Sequence, residues 1–325
     1  MDSETYRAFV VQLSELADDQ ADDVAEKLRL RRNSADVQKL ASERFSEVAA
    51  CPHCSSHAVA KHGQAHGTQR FRCGECRKTF TALTGTPFHR MRNKDKLLDN
   101  ALCMADGLTL EKTAARLGIS VTRAFRWRHK CLEFLNRQKP AALTGTVEAD
   151  ETVFPVSYKG QRKPLPRESK RHGGPLKSGE GKEKVSVLVA IQRGTRRTYD
   201  HVLKDGTTEA LTDALRPALG TEAFLVTDGN ATYWRVAAEL KVKHDYFVSG
   251  YHGKGGIGEL HVQSVNRYDS TLKTWISRFR GVATRHLPNY LGWRRLLDRF
   301  EDALTPQQFM YHALRESYLT PGART

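Results

Sequence analysis

The sequence predicts a multidomain α+β protein: N-terminal helices, a small cysteine-bearing β module, a helical module, and a larger α/β domain built on a mixed sheet. Three observations carry this prediction. Residues 3–48 have helical periodicity, four cysteines fall in two CxxC pairs, and from residue 140 onward Val-, Ile- and Thr-rich runs alternate with helical ones. A chain of 325 residues has room for two or three domains and at least one sizeable core. Its 39% hydrophobic content argues against wholesale disorder. No run approaches the roughly 20 apolar residues that span a bilayer, and no signal peptide opens the chain, so a cytoplasmic protein is expected. Lys plus Arg number 52 against 37 Asp plus Glu, a net charge of +15. Residues 1–50 hold 11 acidic and 7 basic residues, so the excess lies in the rest of the chain. That excess points to a polyanionic partner, nucleic acid first and an anionic membrane surface second.

The first element is the helical region 1–48. Tyr6, Phe9, Val10, Leu13 and Leu16 share one helical face, as do Val37, Leu40, Ala41, Phe45 and Val48. Asp18, Asp19, Asp22 and Asp23 suit a helix N-terminus or a solvated linker. The piece either mediates dimerisation or packs on the basic body.

The second element, 49–88, contains Cys51-Pro-His-Cys54 and Cys73-Gly-Glu-Cys76, separated by 18 residues. Two CxxC pairs at this distance read as a structural zinc site, because each tight turn aims two thiolates at one point and two turns complete a tetrahedron. Reduced structural cysteines or a redox pair are the plain alternatives. Gln69-Arg70-Phe71-Arg72-Cys73 and Lys78-Thr79-Phe80-Thr81 read as short strands, which makes the module a zinc ribbon, with either a nucleic-acid surface or a purely structural role. Cys103 and Cys131 read as buried free thiols.

Residues 89–139 turn helical. Thr109–Leu117 forms one helix, Gly118-Ile119 a turn, and Ser120 caps a second helix running to about Leu135, which is helix-turn-helix spacing. Ala124, Trp127, Cys131 and Leu135 make a core stripe, leaving Thr122, Arg123, Arg126, His129 and Lys130 free to enter a major groove. A helical hairpin with a solvated basic face is the bland reading.

In the final domain, 140–300, strands are expected at Thr144–Val153, Lys184–Arg193, Thr195–Leu203, Ala223–Thr227 and Asp245–Ser249. Helices are expected at Thr207–Leu219, about Thr232–Leu240 and about Asn266–Phe279. This order is that of the ribonuclease-H-like fold. Between the first two strands, 155–183 reads as a flexible basic insert able to order on a phosphate backbone, or as a merely solvated one. Residues 301–325 read as a C-terminal tail. Asp150 ends the first strand and Asp228 ends the later apolar strand, so in such a sheet the two carboxylates are neighbours able to share a divalent metal. A third ligand should come from the start of the last helix. Asn266, 38 residues after Asp228, is favoured, with Lys273 two turns further on the same face; Glu259 and His261 are rivals.

Taken in order, Cys51-Pro-His-Cys54, Gln69-Arg70-Phe71-Arg72-Cys73, Lys78-Thr79-Phe80, Leu83-Thr84-Gly85-Thr86-Pro87 and Phe125-Arg126-Trp127-Arg128 are followed by Glu148-Ala149-Asp150-Glu151-Thr152. Val265-Asn266, Gly281-Val282-Ala283-Thr284 and Asn289-Tyr290-Leu291-Gly292-Trp293-Arg294 complete the series. With these motifs the chain resembles bacterial insertion-sequence DDE transposases, in the group with a zinc ribbon, a helix-turn-helix and a ribonuclease-H-like domain whose last acidic residue is an asparagine followed by a lysine. The likeness spans about residues 49–300 and leaves 1–48 unassigned. It implies strand cleavage at terminal inverted repeats and transfer of the 3′-hydroxyl ends to target DNA. Two Mg²⁺ or Mn²⁺ ions would be held by Asp150, Asp228 and Asn266. Lys273 would contact a phosphate, and Glu151 would orient a metal-bound water. The resemblance also implies a homodimer or higher oligomer in a synaptic complex, and a nucleoid-associated location. A DNA-binding regulator with a decayed catalytic fold, or a nuclease that cuts without joining, are the competing functions.

Overall fold

The computed structural model describes residues 2–65, 68–91, 93–140, 142–161, 164, 184–247 and 260–319. They divide into two compact units: one runs to Phe134 and takes up the chain again from Leu304, and the other is Leu135–Ala303. Among the described residues no helix is long and apolar enough to cross a membrane.

The first unit begins with α1 (Ser3–Leu13) and the long α2 (Asp18–Val48). Asp2 caps α1 through the amides of Glu4 and Thr5, but α1 buries none of its side chains. Asp18 and Asp19 do occupy the first turn of α2. Only its second half is buried, through Val37, Ala41, Arg44 and Phe45. Phe45 meets Phe71 and Phe80 with ring centroids 4.6 and 5.7 Å apart, so α2 sits on the small sheet of β1 (Val59–Ala65), β2 (Thr68–Cys73) and β3 (Thr79–Thr81). All three strands are antiparallel neighbours in that order.

Three further helices follow, α3 (Leu97–Ala105), α4 (Leu110–Leu117) and α5 (Val121–Arg137). Thr109 caps α4, Gly118 ends it at φ +58°, and the Ser120 hydroxyl receives the Arg123 amide. Arg128, 1% exposed, donates to the Leu108 carbonyl at 2.6 Å and to Thr113 Oγ1, tying α5 to the start of α4. Ala124, Trp127, Cys131 and Leu135 are buried as the periodicity requires. Among the described residues of the segment 301–325, read from the sequence as a tail, there is a further helix. Pro306–Leu319 forms α10, which packs against α2 and α3, and Arg44 lies 4.6 Å over the Tyr311 ring.

The second unit is a five-stranded mixed sheet with order β6-β5-β4-β7-β8. Its strands are β4 (Leu143–Pro155), β5 (Lys184–Gln192), β6 (Thr198–Val202), β7 (Leu219–Thr227) and β8 (Lys243–Tyr246). β4, β5 and β6 are antiparallel, while β7 and β8 run parallel to β4. This arrangement fits a ribonuclease-H-like domain. Alternation along β4 divides its faces. Val147 and Ala149 join the core under α6 (Thr208–Leu215) and α7 (Ala231–Leu240), and Glu148 and Asp150 point to the other face. There lie α8 (Gln263–Ser277) and α9 (Leu287–Phe300), joined by the rings of Trp275, Phe279, Tyr290 and Trp293. α9 is bonded to β6 by Arg295, buried and paired with the buried Asp200, its other nitrogen donating to the Asn136 carbonyl at 3.1 Å.

Several boundaries differ from the sequence expectation: β4 runs two residues longer at its end, to Pro155, and β6 begins at Thr198 rather than Thr195. α6 stops at Leu215, just before Pro217, and β7 begins at Leu219 rather than Ala223. β8 begins two residues earlier than expected, at Lys243. α8 starts at Gln263, which places Asn266 inside the helix instead of at its start.

Candidate active site

Asp150 and Asp228 are brought together by register. Thr146, Val147 and Glu148 pair in parallel with Phe224, Leu225 and Val226, so two residues further Asp150 comes level with Asp228. Asp228 follows the last residue of β7 and accepts the Asn230 amide at 3.1 Å, with Gly229 between them at φ +88°. The side chain of Asn230 then caps α7. Asp150 is half-buried and accepts the neighbouring Glu151 amide at 2.7 Å. Burial foremost, and then the Asp228 charge, raise its carboxyl above the usual range, while the Glu151 amide and Lys273 pull the other way. Glu151 faces the α7 side, near the buried Tyr233, and is raised by burial and by the charges of Asp150 and Asp228.

Asp150 lies inside β4, five residues before Pro155, and not at the strand's end as the sequence suggests, because pairing with β5 carries the strand onward. Above this part of the sheet lies α8. Glu148, fully buried, receives the backbone amides of Ser264 at 2.7 Å and Val265 at 3.1 Å, the Ser264 hydroxyl at 2.9 Å, and Arg193 Nε at 2.8 Å. It is the N-terminal cap of α8, supplied by β4, and a carboxylate is the group that a helix N-terminus favours. The opposite end is held by Lys159, whose Nζ donates to the carbonyls of Phe279, Arg280 and Gly281 at 3.2, 3.2 and 3.1 Å. Ser157 and Thr284 exchange two further bonds, at 2.8 and 2.9 Å. The segment that bears Asp150 therefore grips both ends of the helix that bears Asn266. Asn266 and Lys273 are exposed on α8. Asp269 lies between them, 7% exposed, and its carboxyl is pushed up to about 7 by burial and by the Asp150 charge, against the pull of Lys273.

Residues 142–294, the whole of this site, match the family model described as the ISXO2-like transposase domain. Over this stretch the chain is similar to a transposase domain. A protein of the transposable element ISH50 of Halobacterium salinarum, itself uncharacterised, is 25% identical over 254 residues, covering 78% of this chain and 86% of its own length. Among solved structures, a chain of the simian T-cell lymphotropic virus intasome in complex with PP2A regulatory subunit B56 gamma aligns with TM-score 0.29 and 11% identity, over 60% of this chain and 66% of that one. A pre-cleavage Mos1 transpososome aligns with TM-score 0.24 and 12% identity, over 68% and 78%.

Of the residues the sequence singled out in the second unit, Asp150, Asp228 and Lys273 are electrostatic neighbours. Asn266 sits on the face of α8 that carries Lys273, seven residues earlier. His261 belongs to the clamp: its Nδ1 lies 3.3 Å from Glu148 and its carbonyl accepts Arg193 at 2.9 Å. Glu259, and residues 162–163 and 165–183 of the basic insert, lie outside the described residues. Glu148, Arg193 and Asp269 carry no signal of their role in the sequence, and Lys159, expected as one charge of the basic insert, holds the end of α8.

In the first unit, the Sγ atoms of Cys51, Cys54, Cys73 and Cys76 all lie within 4.8 Å of one another, with Cys51–Cys76 and Cys54–Cys73 at 3.6 Å. Zn–S bonds of about 2.3 Å in a tetrahedron set sulfurs about 3.8 Å apart, so the four thiols fit that ion. Each pair is followed by a left-handed residue, Ser55 at φ 63° and Arg77 at φ 59°, which turns the chain back on itself. Backbone amides, Cys76 foremost, bring the Cys73 thiol down to about 7, while burial raises Cys51 to about 12. On α5, Thr122, Arg123, Arg126 and Lys130 are exposed. His129 is half-buried, its ring 4.2 Å from that of Phe125.

Proposed function

We propose that this chain is a DNA transposase that binds the terminal inverted repeats of an insertion element, cleaves at their ends and transfers the 3′-hydroxyl ends to target DNA. The observation that carries this reading is the placement of Asp150 level with Asp228, beneath a helix anchored to the same strand, inside a domain similar to transposase domains. The donor set fits a divalent cation: hard oxygen ligands, with Asp150 half-buried and raised by burial and by the charge of Asp228, which is exposed beside it. Asp150, Asp228 and Asn266 are the residues that would hold Mg²⁺ or Mn²⁺. Bound there, the metal would supply activation of the attacking hydroxyl and stabilisation of the leaving oxygen. Lys273 reaches toward the same point and holds a phosphate oxygen of the DNA near the cleaved end. Arg123, Arg126 and Lys130, with Thr122 and His129, form the base-reading face of a helix-turn-helix. The Cys51, Cys54, Cys73 and Cys76 cluster takes a structural zinc and forms a zinc ribbon. Two ends joined in one synapse require at least a dimer, and the site of action is cytoplasmic DNA.

The test is a cleavage and strand-transfer assay with Mg²⁺ on DNA carrying the flanking inverted repeat. Asp150→Asn and Asp228→Asn should abolish cleavage and leave end binding nearly intact. Wild type that binds the repeat without cutting would support the decayed regulator instead, and cutting without joining would support a hydrolytic nuclease.

A further inference from the structure

We propose that Asp269 supplies the third carboxylate of the cation site, replacing from one helical turn away the negative charge that Asn266 lacks. This inference rests on the reading of Asp150 and Asp228 as cation ligands. Three facts of placement lead to it. First, at 100° per residue Asn266, Asp269 and Lys273 fall within about 60° of helix arc, so all three share one face of α8, and Lys273 on that face acts on the Asp150 charge. Second, Asp269 is 7% exposed and its Oδ1 is buried without any hydrogen-bond partner. Third, the charges that act on it are those of Asp150 and Lys273, not of a group elsewhere in the core.

A buried carboxylate oxygen with no donor is costly, and most are accompanied by a partner. Glu148, two residues from Asp150 on the same strand face, shows how this domain satisfies a carboxylate it uses for support: four donors reach it. Asp269 is also buried, at 7% exposed, and lacks that set of donors. An amide ligand at Asn266 leaves a divalent site with one negative charge fewer than three carboxylates would give. Asp269 restores that charge, either as a direct ligand or through a bound water.

The probe is Mn²⁺ alone, titrated calorimetrically into the full zinc-loaded chain, with thermal melting recorded with and without Mn²⁺. Asp150→Asn should abolish Mn²⁺ binding. Asp269→Asn, close in shape, should weaken it about tenfold or more and should melt no lower than wild type without Mn²⁺, since it removes an unpaired buried charge. Asn266→Asp placed in the Asp269→Asn background should recover affinity by moving the charge back one turn. Affinity for Mn²⁺ within twofold of wild type in Asp269→Asn, while Asp150→Asn has lost it, overturns the proposal and leaves the cation site standing. Unchanged binding in both variants overturns the cation site and the proposal together.

Discussion

The Glu148 clamp offers the sharpest test of how this domain is built. Glutamine at 148 keeps the length and one acceptor oxygen but replaces the other with an amide NH₂. The retained oxygen serves the amides of Ser264 and Val265; the NH₂ then faces Arg193 Nε, donor against donor, while the Ser264 hydroxyl can turn to accept from it. The loss is one hydrogen bond between charged partners, about 1.5–3 kcal/mol, and the charge at the helix N-terminus, about 0.3–1 kcal/mol. Arg193 is one-fifth exposed and still donates to the His261 carbonyl, so part of its lost partner is replaced by water. A net cost of about 2–3 kcal/mol follows. Alanine removes every acceptor and should cost about 3–5 kcal/mol, as breaking buried pairs does. Hydrogen exchange read over residues 260–270 by mass spectrometry reports the loss where it occurs. A loss of 2–3 kcal/mol corresponds to about 30- to 150-fold faster opening of the first turn of α8. End cleavage should fall in parallel while repeat binding persists, because Asn266 rides on that turn. Unchanged protection of the Ser264 and Val265 amides in Glu148→Ala would refute the clamp.

Three more outcomes are expected. Cys73→Ser should release the bound zinc and expose residues 49–85 to proteolysis, and elemental analysis showing one zinc per chain in the variant would refute the four-cysteine site. Arg126→Ala should reduce discrimination between the repeat and random DNA by about 1–3 kcal/mol if the side chain makes a bidentate base contact; a competition assay showing equal loss on both DNAs would make it a phosphate contact instead. Gly292→Ala sets two effects against each other: alanine favours the helix by about 1 kcal/mol, but its Cβ would lie 2.6 Å from the Asn136 backbone, which cannot swing aside. Overpacking of about 1–3 kcal/mol or more should win, so a melting temperature at or above wild type would refute the close crossing of α9 on the end of α5.

Much of the second unit is legible in the sequence because its signals are local. The Val-rich run of β5 and the apolar run ending at Asp228 needed only period and composition. What the sequence hides is supplied from a distance. The cap of α8 comes from Glu148, 116 residues before Ser264, so helix-start signals near Asn266 place the boundary three residues late. Asp269 follows Tyr268 on a helix whose polar residues are mostly exposed, and nothing in its neighbourhood distinguishes a buried aspartate from a solvated one. Lys159 looks like one more charge of a basic insert, and its partners lie 120 residues on. The Gly281-Val282-Ala283-Thr284 motif becomes intelligible only with the Ser157–Thr284 bonds and the Lys159 contact in view.

Two carboxylates on one face of one strand, two residues apart, separate support from chemistry more clearly than exposure does. Glu148 is the more deeply buried, and it is silent: backbone amides, a hydroxyl and a guanidinium fill its coordination, so it gains nothing from a ligand. Asp150 is less buried, yet it is raised by its surroundings because only one neighbouring amide and the Lys273 charge oppose the burial and the Asp228 charge. The domain has the donors to satisfy a carboxylate on this face of β4 and directs them all to the one that fixes the helix. Leaving Asp150 and Asp269 short of donors destabilises the bare fold, and a rigid helix clamped at both ends prevents the site from collapsing to relieve it. Such a deficit, held open by structure, is what a divalent cation and the DNA phosphate it accompanies would remove.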